Sequence, residues 1–178
     1  MKWIFLFSIL ITSTLSGQKI KWQEDKKLDW SNFKSNVNRQ RGNNVVAYTN
    51  CGWVYSVVKS TNPKSPVKIT IETFFNEDKS WKDVKQINDY VLNHEQKHFD
   101  IAEVFARKLR KEVAENIKTS GDYNKHFQGI YNRILKEYTQ FQMTYDKETQ
   151  HGINKDKQAE YNTLISEELE SLKSYQIS

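Results

Sequence analysis

Residues 91–103 read VLNHEQKHFDIAE and contain the pattern H-E-x-x-H at His94, Glu95 and His98. On a helix, residues four apart lie on one face, one turn above the other. Two imidazoles so placed can hold one Zn²⁺ at about 2.0–2.1 Å. Glu95 lies about 100° further round, where its carboxylate can reach a metal-bound water without ligating the metal. Zinc lowers the pKa of such a water toward about 7, and a carboxylate beside it can take the proton and pass it to a leaving amine. The pattern arises by chance in roughly one chain in a few hundred of this length. The bland alternative is a pair of core histidines satisfied by hydrogen bonds, which predicts no metal and little effect of Glu95→Gln.

A catalytic zinc needs a third protein ligand and an open fourth position. Two further histidines exist, His126 and His151. His126, near the start of a later helix, reads as a surface or capping residue. His151 stands at the far end of that helix, in YDKETQHG (145–152). Continuing its inward stripe through Phe141 and Tyr145 brings Glu148 to the same face, with His151 about 60° away. His151 is the expected third ligand because Gly152 beside it lets the backbone approach closely; Glu148 is the alternative. Tyr145 is a candidate donor to the oxyanion of a tetrahedral intermediate, or else a core residue. Asp100 reads either as an acceptor for an imidazole N–H or as an exposed acid. Glu103 reads as a helix-face partner of Arg107 at i+4.

These side chains need a helix pair to carry them, and the patterning supplies one. From Trp81 onward the period is helical: Val84, Ile87, Val91, His94, His98, Ile101, Phe105, Leu109 and Val113 step by three or four. The histidines are therefore on the inward stripe. Ser120-Gly121 reads as the break, and a second helix runs from about Tyr123 to Gln150 with Gly152 as its stop. A third covers about Asp156 to Tyr175. Ahead of the helices, NVVAYT (44–49), GWVYSVVK (52–59) and VKITIETFF (67–75) are strand candidates, with STNPKSP (60–66) a turn. Trp30 and Phe33 in DWSNFK (29–34) are expected to pack beneath the domain. The fold class is α+β: a small antiparallel sheet followed by a long H-E-x-x-H helix and two further helices, zincin-like in outline.

The whole chain sets the limits. At 178 residues, one domain is favoured over two. Nine Phe, nine Tyr and five Trp are enough for a core. The opening MKWIFLFSILITSTLSGQ has the layout of a secretory signal peptide over residues 1–17, leaving a single mature domain over 18–178. Its apolar run falls short of the roughly 20 residues that span a bilayer, so stable membrane insertion after cleavage is not expected. Cys51 is the single cysteine, so no internal disulfide is available and a buried role in a strand is expected. The charge of +5 is spread out, and RKLRK (107–111) reads as a solvated helix face. An exported location, periplasmic or extracellular, argues further against nucleic acid as a partner.

The segments SW (80–81), LNHEQKHFDIAEVFARKLR (92–110) and YDKETQHG (145–152), together with DWSNFK (29–34), resemble a family of uncharacterised secreted bacterial proteins, catalogued as a domain of unknown function and often labelled zinc-dependent protease. The resemblance implies metal and base roles for His94, Glu95 and His98, with the ETQH segment the source of the third ligand. The reading is a secreted zinc metallopeptidase acting on a peptide or protein substrate, Glu95 serving as general base. By analogy with zincins, VKITIETFF is the candidate edge strand for an extended substrate. The rivals are a non-catalytic zinc-binding module, fully coordinated by both Glu148 and His151, and a zinc amidase acting on non-protein amides such as cell wall. Oligomeric state leaves no trace in the sequence.

Overall fold

A computed structural model describes residues 18–38 and 45–177; the expected signal peptide, residues 1–17, lies outside them. Among the described residues the strands are β1 (Lys19–Lys21), β2 (Ala47–Tyr48), β3 (Cys51–Val58), β4 (Lys68–Asn76) and β5 (Trp81–Lys82). The helices are α1 (Asp89–Asn116), α2 (Ser120–Thr149) and α3 (Lys155–Ser171). The order is that of an α+β fold, a small antiparallel sheet first and three helices after it.

In the main sheet β4 lies between β1 and β3, antiparallel to both. Alternation along β4 turns Ile71, Thr73 and Phe75 inward. A second ribbon pairs β2 with β5, Ala47 opposite Lys82 and Tyr48 opposite Trp81. The central position of β4 overturns the expectation that 67–75 offers an edge to a substrate. Its hydrogen-bonding groups are used by β3 along 68–75 and by β1 and Trp22 at 73–76, and the Ile71 carbonyl accepts from Arg110. The short strands β1 and β5 escaped sequence reading because neither is long enough to show a period.

The apolar stripe begins at Val84, but the helix does not. Val84 is 71 % exposed, and residues 83–88 form a turn held by Asp83, which accepts from Lys85 N–H and the Gln86 amide. Asn88 then caps α1 by accepting from Val91 N–H. The break between helices also differs by a few residues. Thr119 and Asp122 form a reciprocal capping box, so Ser120-Gly121 opens α2 instead of closing α1. Gly121 lies against Pro63, where an added Cβ would meet the Pro63 carbonyl oxygen at 3.0 Å.

α1 is the axis of the molecule. Its stripe packs on α2 and α3 through Ile101, Phe105 and Leu109, joined by Ile134, Tyr145 and Ile165. Its opposite side is covered by the sheet and the opening segment, where Phe75 meets both Phe33 and Phe99, and Trp30 packs on Phe33 as expected. This double burial corrects two surface assignments. Glu103 and Arg107 do pair, at 2.9 Å, but both are 2 % exposed. Arg110 also reaches Glu103, and Thr73 donates to it from β4. RKLRK is thus half interior, a charge cluster stapling the helix to the sheet. No helix among the described residues is long and apolar enough to cross a membrane.

Candidate metal centre

Helix geometry places His94 and His98 one turn apart on the α1 face that meets α2. Across from them stands Asp146 of α2. His94 Nε2 lies 3.2 Å and His98 Nε2 3.0 Å from Asp146 Oδ1, and the two Nε2 atoms are 3.2 Å apart. Among the described residues, these three form a group able to hold a metal ion. The spacing suits one: tetrahedral ligands at 2.0–2.1 Å from a centre stand roughly 3.3 Å from one another.

The other ring nitrogens decide what the convergent atoms offer. Gln142 donates its amide N–H to the His98 carbonyl at 2.9 Å, so its oxygen is the atom facing His98 Nδ1 at 2.5 Å. Gln158 of α3 likewise donates to Asn162 Oδ1 at 2.9 Å and turns its oxygen to His94 Nδ1 at 2.9 Å. Both Nδ1 atoms must therefore carry protons, and each neutral ring presents a lone pair at Nε2. Two lone pairs and a carboxylate oxygen meet with no donor among them, an arrangement that only a cation relieves, whether a proton or a metal ion. Burial disfavours charge on His98, yet its hydrogen bond and charge interaction with Asp146 prevail and raise it to about 9. Burial acts to raise Asp146, but the surrounding imidazoles of His151, His94 and His98 hold it well below the ordinary carboxylate range.

Glu95 is 4 % exposed. Its Oε2 is buried and has no hydrogen-bond partner among the described residues. A carboxylate oxygen left so is costly, and an orphan of this kind marks a place where a further group belongs. Glu95 lines the same cavity of about 540 Å³ as His94, His98 and Asp146, with residues 45–49 forming the wall across from the helices.

The remaining candidates fall around this centre. His151 sits at its rim, its Nδ1 3.3 Å from Asp146 Oδ1 and its side chain 48 % exposed; it contacts a member of the group and stands outside the group itself. The Asp146 hydrogen bond raises its pKa. Glu148 points elsewhere: two residues past Asp146 it has turned about 200° round the helix, and it accepts from Tyr161 of α3 at 2.9 Å. Tyr145 is fully buried beneath the site, its ring stacked on His94 at 4.7 Å and its hydroxyl within reach of the His94 carbonyl and the Gln158 oxygen. It supports the His94 ring and does not face the cavity. Asp100 is neither an imidazole acceptor nor exposed; it is fully buried and accepts from Trp22, Gln96 and Lys97. His126 is exposed, as expected. Cys51 lines the cavity with its thiol against the His98 carbonyl, and burial pushes it up to about 12, so it stays a thiol.

Asp146 and Gln142 lie off the inward stripe of α2, which runs through Phe141 and Tyr145. The signal was one step over. Gln142 and Asp146 repeat the four-residue interval of His94 and His98 on the flank of that stripe, and aspartate is an ordinary zinc ligand.

A family profile matches residues 25–152, more than half of the chain, and is described as bacterial protein of unknown function (DUF922). The chain belongs to this family. The stretch shared with DUF922 contains α1, α2 and the whole His94–His98–Asp146 group, and stops short of α3. No curated protein and no solved structure matches the chain. Membership in DUF922 brings no assigned activity, so function rests on the site itself.

Proposed function

We propose that this DUF922 protein is an exported zinc-dependent metallopeptidase, with His94, His98 and Asp146 holding the metal and Glu95 serving as general base. The observation that carries the reading is the buried, unpartnered Oε2 of Glu95, a residue that lines the same cavity as the three convergent residues able to hold a metal. Two imidazoles and one carboxylate are a donor set suited to zinc. Bound zinc supplies Lewis acidity and a water made acidic enough to lose its proton near neutral pH. Glu95 has an oxygen free to accept that proton and later to release it to the departing amine. The cavity wall at 45–49 offers the strand beside which an extended chain would lie, in place of β4.

The structural-zinc reading required both Glu148 and His151 in the coordination sphere, and the hydrogen bond from Tyr161 holding Glu148 on α3 weighs against it. The amidase reading differs only in substrate. The test is zinc-loaded protein, residues 18–178, assayed on an unfolded protein substrate and on peptidoglycan fragments. The expected result is cleavage of the protein substrate, lowered about 10²–10⁴-fold in Glu95→Gln with zinc content unchanged. Equal turnover by Glu95→Gln would refute the base assignment, and cleavage of peptidoglycan alone would move the substrate to the amidase class. The signal layout of residues 1–17 supports export, checked by finding the mature chain outside the cytoplasm.

A further inference from the structure

We propose that Gln158, from a helix beyond the family-matched stretch, is a positioning residue of the metal centre, and that it couples α3 docking to metal binding. The inference rests on the metal reading above and adds a third helix to it.

Gln158 is 1 % exposed. A buried primary amide must satisfy both of its ends, and here both are engaged. Its N–H₂ donates to the Tyr145 hydroxyl at 2.8 Å and to Asn162 Oδ1 at 2.9 Å, an oxygen that also accepts from Asn93 of α1 at 3.2 Å. The Gln158 oxygen is thereby turned onto His94 Nδ1–H, with the Tyr145 hydroxyl beside it at 3.0 Å. The result fixes the His94 tautomer and aims its Nε2 lone pair at Asp146. Gln142 does the same for His98, but from α2, which already carries Asp146.

The two supports therefore differ in consequence. α3 has few buried side chains of its own, Gln158, Tyr161 and Ile165, so one of its three anchors ends on a metal ligand. Metal binding that demands the Gln158 contact must, by linkage, hold α3 in place, and loss of the contact must weaken metal binding by the same factor. A partner of a ligating imidazole is typically worth 10–100-fold in metal affinity.

The test measures zinc affinity by chelator competition for wild type, Gln158→Leu, Gln158→Glu and Gln142→Met, and amide hydrogen exchange in α3 with and without zinc. The expected outcome is a 10–100-fold loss for Gln158→Leu. Recovery to within about threefold is expected for Gln158→Glu, whose carboxylate accepts from Nδ1–H while Asn162 turns its amide. Zinc slows exchange of α3 in wild type and much less in Gln158→Leu. Because a packing role would not be rescued by a buried carboxylate, equal losses in the Leu and Glu variants overturn the proposal. So does wild-type affinity in Gln158→Leu, or α3 exchange indifferent to zinc. Should Gln158→Leu fail to fold, the exchange measurement on wild type and the Glu variant decide alone. A wild-type protein that binds no zinc refutes the metal reading itself, a result distinct from all of these, while Gln142→Met reports whether the α2 support acts independently.

Discussion

Three acceptor atoms brought within 3.2 Å of one another make a charge problem before they make an active site. Without a metal, the problem is solved by a proton on His98, which Asp146 holds up to about 9, above its ordinary 6.5. The consequence has a definite sign. In chelator-treated protein the charged His98–Asp146 contact is fully stabilising below about pH 6.5 and is lost as pH rises through about 9. Stability of the metal-free form should fall across that window, by at most roughly 3 kcal/mol. Zinc affinity should climb over the same range as the proton leaves. Thermal unfolding from pH 6 to 10 checks both, and His98→Ala should flatten the metal-free curve; a curve with the opposite slope would contradict the assigned proton.

At the scale of elements, the turn after α2 is what lets the helices close on the metal group. Gln150, His151 and Gly152 are consecutive residues with φ of 52°, 54° and 84°, ending α2 in a left-handed cap. A Cβ on Gly152 would stand 3.1 Å from both Cβ and Cγ of His94. Gly152→Ala should cost about 1–2 kcal/mol from the left-handed backbone alone, and should also lower zinc affinity because the relieving movement is of the His94 ring. Denaturant unfolding and zinc competition together test this; a variant weakened in stability but not in zinc affinity would show the contact to be packing only. This glycine was legible in sequence as a close approach, though the approach is to His94 and not to a ligating His151. The helix stripe was legible too, because 28 residues of α1 repeat one period. What was not legible was the rotation of α2 about its own axis. A stripe fixes the centre of a buried face, whereas Asp146 and Glu148 lie on opposite flanks of Tyr145, and only packing against α1 and α3 selects between them.

The whole molecule is arranged so that α1 is gripped from both sides. One grip is apolar, on α2 and α3; the other is the buried cluster of Glu103 with Arg107, Arg110 and Thr73. The same arginines hold the end of the chain, Arg107 through the Leu169 carbonyl and Gln176 and Arg110 through the Tyr175 carbonyl. Periodicity hid this cluster, since charged residues off the apolar stripe read as solvated until a sheet is seen to cover them. Glu103→Gln leaves one buried and one half-buried cation without their counter-charge and should destabilise by about 3–5 kcal/mol, measured by urea unfolding of zinc-loaded protein; a loss under about 1 kcal/mol would mean the cluster is wetter than its burial indicates. Such a grip keeps His94 and His98 fixed while α2 brings Asp146 to them. Ligation by Asp146 is tested most directly by zinc content of purified residues 18–178 beside His94→Ala, Asp146→Ala, Glu148→Gln and His151→Ala. About one zinc per chain in wild type and Glu148→Gln, lost in His94→Ala and Asp146→Ala and retained in His151→Ala, is the expected result. Wild-type zinc content in Asp146→Ala, or no zinc in wild type after incubation with the metal at neutral pH, would contradict the account.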